Sequence, residues 1–325
     1  MVSCAELGED GVLSRILPLL TSRGPVVLGP GDDAAVLTVA GDLVVTADAL
    51  VENHDFVVRW SSGEDVGHKA AAQNLADVAA MGARPVGLLV SLAVPELTDI
   101  SWLEGLARGL DAECAQLDTS VAGGDLSGAE QIMVSITAFG QLEGRQPVRR
   151  DGARPGDVVA LAGTVGLAAA GLDLLVDDAE QHRADPALAG LIMAQLRPEP
   201  PYLSGVAAAE AGASAMLDVS DGLVKDASRI ARASGVRLEI HDAFVDLAER
   251  LAPAAKVLGA PALKWLHGGG EDHGLLACFP PDVPLPEGFR EIGTVLSASE
   301  AGPGVTFNGS PSRFNAGWQH FAGGQ

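Results

Sequence analysis

A chain of 325 residues is long enough for a full hydrophobic core, and this length predicts about two domains. The formal net charge of −22 argues against nucleic acid or an anionic membrane surface as the main partner, because either partner would need a basic face. Apolar residues make up 47% of the chain, yet no apolar run approaches the roughly 18 residues of a membrane span.

The first half of the chain has the apolar spacing of alternating helices and strands. Helices are predicted at 7–20, 64–81 and 99–116, and strands at 43–48, 85–94, 119–122 and 131–140. A polar segment rich in turn residues, 149–157, follows and is the predicted joint between domains 1–148 and 149–325. Its arginines could belong to a solvated linker, or one of them could bind a phosphate.

The second half continues the same alternation. A strand is predicted at 158–162, helices at 166–176, 188–196 and 202–211, a strand and acidic turn within 215–223, a helix running on through 230, and a strand at 274–279. A polar connection is predicted at 178–185. The pattern as a whole predicts an α/β (α+β) protein.

Carboxylates recur at the predicted turns and strand ends, several of them beside glycine, and one more lies on a predicted helix. The set comprises Asp32, Asp33, Asp48, Asp77, Asp125, Asp218, Asp221, Glu271 and Asp272. Several members also fit a simpler role, such as an Asx turn at Asp32 and Asp33 or a helix N-cap at Ser220 or Asp221. So many like charges in one cleft would repel strongly unless divalent ions neutralised them. The set therefore predicts an acidic cleft with several Mg²⁺ ions, which suits phosphoryl transfer.

Positive charge is scarce, since only four residues are lysines and no Walker-type phosphate loop occurs. A polyphosphate would therefore be bound through divalent cations rather than directly, with Lys69 as a minor candidate for a phosphate contact. Cys4, Cys114 and Cys278 form no paired motif, which indicates neither a disulfide framework nor a zinc site. The acidic start of the chain lacks the basic flank of a secretory signal, so a cytoplasmic protein is expected.

Six segments occur in the order seen in one enzyme family. They are 31–33, 74–83, 123–125, 154–157, 218–223 and 269–272. In this order they resemble the thiamine-monophosphate kinases of the AIR-synthetase-like superfamily. The resemblance implies an N-terminal domain whose sheet pairs with its copy in a homodimer, a C-terminal α/β domain, and ATP bound in the cleft between the domains. It also implies ATP-dependent phosphorylation of thiamine monophosphate to thiamine diphosphate.

The resemblance further implies a role for individual residues. The implied metal ligands are Asp33, Thr46, Asp48, Asp77, Asp125, Asp218 and Asp221. The implied ATP contacts are Gly124, Asp125, Arg150 and Ser220. The implied substrate contacts are Glu271, Trp318 and one of His54 and Asp55. No catalytic side-chain base is expected, because the acceptor is a phosphate monoester whose second pKa is about 6 and which is already anionic at neutral pH.

The chain departs from the family pattern at three places. Ala47 stands where the family often has a hydroxyl residue, Asp55 stands at the usual histidine with His54 one step early, and His273-Gly274 replaces Tyr-Glu. Two alternatives to the kinase remain: another ATP-dependent member of the superfamily, such as a selenophosphate synthetase, and a non-catalytic module that binds divalent cations. The first alternative would need a reactive cysteine with a nearby lysine, and Cys4 has no lysine near it.

Overall fold

The computed structural model describes residues 2–31, 33–241, 244–314 and 317–318. Asp32 and most of the tail after Phe314 lie outside the described residues. The chain divides into two compact units, unit 1 with residues 1–78 and 83–144, and unit 2 with residues 79–82 and 145–325.

The elements up to residue 144 build a sheet with helices on it. The helices are α1 (Cys4–Ile16), α2 (Gly63–Ala80) and α3 (Ile100–Ala115); the strands are β1 (Val26–Leu28), β2 (Val36–Leu37), β3 (Leu43–Val51), β4 (Arg84–Val94), β5 (Val121–Gly128) and β6 (Met133–Gln141). The main sheet has the order β3-β6-β4-β5, so that β3 and β5 are its two edges. Only β4 and β5 run parallel in it.

The helices α2 and α3 pack with their backbones close together. A Cβ atom added at Gly67 would lie 2.3 Å from the carbonyl oxygen of Leu106, and one added at Gly109 would lie 2.2 Å from that of Glu64. Only glycine fits at so close an approach. Leu75 on α2 is fully buried. The close packing against α3 holds α2 in place for the polar residues that it carries.

Three predicted boundaries in unit 1 are wrong. The first helix begins at Cys4 and ends at Ile16, followed by a short 3-10 turn at Leu17–Leu19. Strand β3 continues through Asp48 to Val51, because its pairing with β6 continues to that residue. Gly123-Gly124-Asp125 lies inside β5 rather than in a turn. Gly124 is needed there because an added Cβ would lie 2.0 Å from the carbonyl oxygen of Val90 on β4.

Unit 2 contains a larger mixed sheet with helices. The helices are α4 (Leu167–Arg183), α5 (Pro186–Leu196), α6 (Tyr202–Glu210), α7 (Leu223–Ser234), α8 (Val245–Leu258) and α9 (Ala262–Gly268); the strands are β7 (Val158–Ala162), β8 (Ala215–Val219), β9 (Val236–Ile240), β10 (Gly274–Phe279), β11 (Phe289–Ser297) and β12 (Gly304–Phe307). The sheet order is β12-β9-β11-β7-β10-β8. Strand β10 is buried along its whole length, and its antiparallel pairing with β8 places the end of β8 beside the start of β10.

One prediction in unit 2 is wrong, since the polar connection expected at 178–185 is mostly helical. Helix α4 continues to Arg183 across a kink at Asp178, where φ is −155° and ψ is 91°. The Asp178 carboxylate accepts a hydrogen bond from the backbone N–H of Gln181, so it caps the second part of the helix. Among the described helices, none combines the length and the apolar character needed to cross a membrane.

Candidate active site

The exposed edge of β3 brings together three of the predicted metal-site residues. The hydroxyl of Thr46 donates to the carboxylate of Asp77 on α2 at 2.8 Å. The backbone N–H of Asp48 donates to the side-chain oxygen of Asn74, one helical turn earlier on α2, at 3.0 Å. Asn74 is fully buried and also bonds Ala70, so its amide is satisfied by protein groups. The carboxylate of Asp48 itself is exposed at this edge.

The opposite edge of the sheet carries a second group. Asp33, Gly124 and Asp125 line one cavity of about 700 Å³, whose walls also include α1, α3 and the 29–31 segment. Apolar side chains form most of these walls, while Asp125 is exposed and accepts a hydrogen bond from the Ser127 hydroxyl at 2.9 Å. A mainly apolar cavity with a few polar groups at its rim is typical of a small-molecule site.

The two groups do not meet within unit 1. Thr46 and Asp48 are on β3 and Asp125 is on β5, with β6 and β4 between them. Three strand spacings of about 4.8 Å separate these edges by roughly 14 Å. The side chain of Thr46 also points to α2, whereas Asp125 pairs with Ser91, which is exposed on β4.

The acidic turn between β8 and α7 is held by a network of charges in unit 2. Neither Ser220 nor Asp221 caps α7; instead buried Asp226 accepts hydrogen bonds from the backbone N–H groups of Asp221 and Gly222. Burial raises the pKa of Asp226 to about 6. Arg229 bridges Asp226 and Asp221, and Lys225 lies 2.8 Å from Asp221.

The charge of Asp221 is therefore well compensated. Burial raises its pKa, but the hydrogen bonds and charges of Lys225 and Arg229 outweigh burial and hold the pKa below its ordinary value. These three partners, Lys225, Asp226 and Arg229, were missed by the sequence reasoning. Their spacing of four, five and eight residues after Asp221, with the two cations one turn apart on the helix, is the signal that could have found them.

Glu271 lies directly against this turn. Its backbone N–H donates to the carbonyl oxygen of Ser220 at 2.9 Å, and it adopts a left-handed φ of 67°. A Cβ at the preceding residue, Gly270, would lie 2.1 Å from the same Ser220 oxygen. The side-chain amide of Gln195 on α5, a residue that sequence reasoning missed, donates to the Glu271 carboxylate at 2.6 Å. The Glu271 side chain is thus held from an element 76 residues away in sequence.

Asp272 points the other way and is a structural residue. Its carboxylate accepts hydrogen bonds from the Thr164 hydroxyl and from the backbone N–H groups of Leu167 and Ala168. Helix α4 has Gly166 at its N-cap and no side-chain cap of its own, so Asp272 caps it from a distant turn. Burial raises the pKa of Asp272 to about 6.

This raised pKa predicts a pH-dependent contribution to stability. The folded protein holds the Asp272 proton more tightly than the unfolded chain does, so the contribution is fully present below about pH 4 and is lost as the pH rises to about 6. The free energy of unfolding of the wild type, minus that of Asp272→Asn, is expected to fall by up to about 3 kcal/mol between pH 4 and pH 7. Denaturant unfolding of both proteins across this range measures the difference. A difference that stays level or rises with pH would contradict the assignment.

Trp318 joins the same turn from the tail. Its backbone N–H donates to the carbonyl oxygen of Asp221 at 3.0 Å, and its own carbonyl oxygen accepts from the Lys225 ammonium. Trp318 remains 54% exposed. An indole fixed by its backbone and open on one side can stack on a flat heteroaromatic ring.

Arg150, a predicted ATP contact, has a different environment. The backbone of Arg149 and Arg150 bonds Met216 at the start of β8 and Ser234 at the end of α7. The acidic turn lies at the opposite ends of both elements, and the 12 residues of α7 alone span about 18 Å. The structure thus does not bring Arg150 to this turn within unit 2, and its contact with ATP stays a prediction.

The 53–56 turn separates the roles of His54 and Asp55. The Asp55 carboxylate accepts a hydrogen bond from the backbone N–H of Val51 at 2.8 Å, while the His54 side chain is exposed. The Lys69 ammonium, suggested above as a phosphate contact, is buried and donates to the carbonyl oxygen of Asp55 at 3.2 Å.

The oxygen atoms of the predicted metal ligands suit a hard cation that also binds waters or phosphates. The candidates offer carboxylate and hydroxyl oxygens, which Mg²⁺ prefers. Among the residues that the structure describes, no three His, Cys, Asp or Glu side chains are grouped so as to hold a metal ion by themselves. Mg²⁺ is usually held by one or two carboxylates together with waters and substrate phosphates, and each of the groups above fits that pattern.

Comparison with known proteins assigns the family. Residues 31–142 match the N-terminal domain of AIR synthase related proteins, and residues 154–291 match the C-terminal domain. A thiamine-monophosphate kinase of Mycobacterium tuberculosis is 43% identical over 321 residues, which cover 97% of this chain and 92% of that protein. The chain belongs to the thiamine-monophosphate kinase family.

Solved structures of thiamine-monophosphate kinases have the same fold. AaThiL complexed with AMPPCP and TMP superposes with a TM-score of 0.78 at 34% identity, covering 97% of this chain and 98% of that one. The kinase of Stenotrophomonas maltophilia K279a gives a TM-score of 0.77 at 32% identity, covering 93% and 96%. The predicted family and the two-domain α/β fold are confirmed, and the members of this family are enzymes.

Proposed function

We propose that this chain transfers the γ-phosphoryl group of ATP to thiamine monophosphate, giving ADP and thiamine diphosphate. The observation that carries the proposal is the meeting of Glu271 and Trp318, distant in sequence, on the backbone of Ser220 and Asp221. One turn thus presents a candidate metal ligand, a candidate ATP contact and two candidate substrate contacts. The similarity over nearly the whole chain to AaThiL, solved with AMPPCP and TMP, supports the same substrates here.

Several Mg²⁺ ions would be held by the predicted oxygen donors. These are Asp33, Thr46, Asp48, Asp77, Asp125, Asp218 and Asp221. When bound, the ions offset the negative charge of the phosphate groups during transfer. The exposed carboxylates of Asp48 and Asp125 lie at sheet edges, where they can bind an ion that also contacts phosphate oxygens.

The protein's own task is to hold two anions in line. The acceptor phosphate is already anionic at neutral pH, so a side-chain base is unnecessary and the transfer is direct, without a phosphoenzyme. Trp318 would stack on an aromatic ring of thiamine. Glu271, whose carboxylate is fixed by Gln195, would accept a hydrogen bond from the thiamine. Of the pair in the 53–56 turn, we propose His54 as the substrate contact, because the Asp55 carboxylate already accepts the Val51 N–H.

We also propose a homodimer in which the sheets of unit 1 pair. Thr46 on β3 points to α2, so its neighbour Val45 points to the other face, where Val45 and Leu43 are 53% and 49% exposed. An apolar face of this kind fits a second copy of the same sheet. We further propose that in such a dimer the β5 edge of one protomer lies beside the β3 edge of its partner, which would join the two ligand groups that lie at opposite edges within unit 1.

Incubation with Mg-ATP and thiamine monophosphate tests the function directly. Chromatography should show thiamine diphosphate and ADP in equal amounts, with no product from unphosphorylated thiamine. Absence of thiamine diphosphate with the wild type would remove the proposal. A module that only binds cations would instead take up Mg²⁺ in calorimetry without nucleotide, whereas we expect weak uptake until ATP supplies bridging oxygens.

A selenophosphate synthetase is the remaining alternative. Relatives named thiamine-monophosphate kinase, one of them 43% identical, do not favour it.

We place the protein in the cytoplasm, supported by Cys4, Cys114 and Cys278, all of which are free thiols as expected in a reducing compartment.

A further inference from the structure

We propose that His273 is a positioning residue that fixes the carboxylate of Asp218 for cation binding. This inference rests on the proposed function, because it concerns one of the proposed metal ligands. The ring atom Nδ1 of His273 lies 3.0 Å from Oδ2 of Asp218. Both side chains are buried, with 6% and 5% of their surface exposed.

The backbone is arranged to bring the two side chains together. His273 directly precedes β10, and the pairing of β10 with β8 sets Leu275 opposite Asp218. The backbone N–H of His273 donates to the carbonyl oxygen of Val219 at 3.2 Å. His273 has a left-handed φ of 54°, which is uncommon for a residue other than glycine. The surrounding turn therefore holds a mildly unfavourable conformation that turns the ring toward Asp218.

The direction of the hydrogen bond follows from the chemistry of the acceptor. A carboxylate that binds a cation is ionised and only accepts hydrogen bonds, so the inference requires Nδ1 of His273 to carry the proton and to donate it to Asp218. One carboxylate oxygen of Asp218 is thereby occupied and its rotation is restricted, which leaves Oδ1 as the ligand atom. Partners that orient a metal ligand in this way typically change metal affinity by about 10- to 100-fold.

The two candidate ligands of the acidic turn are held in different ways. Asp221 is paired with two cations, Lys225 and Arg229. Asp218 is bonded by an imidazole N–H, and within the described part of the chain no lysine or arginine forms an ion pair with it. A metal ion at Asp218 need not displace a protein cation, whereas at Asp221 it competes with two. Asp218 is thus the stronger of the two anchors, and His273 sets its geometry.

Two substitutions at His273 distinguish the effect of its hydrogen bond on metal binding from the effect of its left-handed backbone conformation. Asn places an amide nitrogen at nearly the position of Nδ1 and tolerates a left-handed φ. Gly removes the donor and fits this φ without strain. We expect Mn²⁺ to bind His273→Gly about 10- to 100-fold more weakly than wild type in the presence of a non-hydrolysable ATP analogue, and His273→Asn to bind it within about threefold. Electron paramagnetic resonance of free Mn²⁺ measures the affinity.

A second measurement does not depend on any variant. Nitrogen NMR of the wild type without metal should show that the His273 ring carries a proton on Nδ1 and that this proton is hydrogen-bonded to Asp218. Wild-type Mn²⁺ affinity in His273→Gly, or a His273 ring unprotonated at Nδ1, would overturn the inference. An unchanged affinity in Asp218→Asn would instead remove Asp218 as a ligand, and an absence of thiamine diphosphate from the wild type would remove the proposed reaction.

Discussion

Co-expression of Asp48→Asn and Asp125→Asn chains is expected to restore about a quarter of wild-type turnover, although each variant alone is nearly inactive. The reason is the sheet order, which puts Asp48 on one edge strand and Asp125 on the other. We call Thr46, Asp48 and Asp77 the β3 group, and Asp33, Gly124 and Asp125 the β5 group. If each active site takes its β3 group from one protomer and its β5 group from the partner, a mixed dimer has one site with both substitutions and one site with neither. Half of randomly formed dimers are mixed, so about one site in four is intact.

Two differently tagged chains allow the mixed dimer to be purified and assayed alone, where about half of wild-type turnover per dimer is expected. The matched control is a mixture of Asp48→Asn with Asp77→Asn, because both residues belong to the β3 group and no mixed site is then intact. Restoration in the control, or none in the test pair, would show that the two edges do not cooperate across protomers. Size-exclusion chromatography with light scattering measures the dimer itself.

The Asp218→Asn variant is expected to lose about 10²- to 10³-fold in turnover. A metal ion contributes several kcal/mol to stabilising the transition state, and each 1.36 kcal/mol corresponds to a factor of ten. The substitution keeps the size of the side chain but removes the charge that attracts the cation. The loss should appear in kcat together with a higher Mg²⁺ requirement. Titration of Mg²⁺ at saturating ATP and thiamine monophosphate separates these two effects.

An exposed acid of unit 2 provides the matched control for this variant. Asp246, on α8, is exposed, so Asp246→Asn makes the same change in charge without touching the acidic turn. Its turnover and Mg²⁺ requirement are expected to equal those of the wild type. Full activity in Asp218→Asn would exclude this carboxylate from metal binding, and equal losses in both variants would point to net charge rather than to a specific site.

Local sequence signals located most of the elements but misjudged several strands. The strand carrying Asp48 was predicted to end at that acid, and Gly123-Gly124-Asp125 was predicted to form a turn, because acids and glycines usually interrupt strands. Both segments lie in edge strands, where a polar side chain can face solvent. The spacing of residues along the chain does not show which strand is an edge, since that depends on the pairing order.

The hydrogen-bond partners of the predicted site residues were also not predictable from spacing along the chain. Asp272 and Glu271 are adjacent acids of the same glycine-rich segment, so the sequence does not distinguish their roles. In the structure Asp272 is buried and caps α4, whereas the Glu271 carboxylate is held by Gln195 on α5. These contacts join residues 76 to 105 positions apart. No periodicity or motif within one element predicts such a contact, because it exists only after the helices have packed.

The sequence by itself determined the family, most of the helices and strands up to α7 together with β10, and which acids belong to the recurring motifs, since each of these depends on residue type and on short spacing. Only the tertiary structure decided that the acids of unit 1 divide between two sheet edges, that Glu271 and Trp318 meet at the acidic turn, and that His273 bonds Asp218. The physical reason is that strand order and the burial of individual polar groups are set by packing between distant segments. Local propensity does not predict contacts between distant segments, whereas the hydrogen bonds of a buried site depend on them.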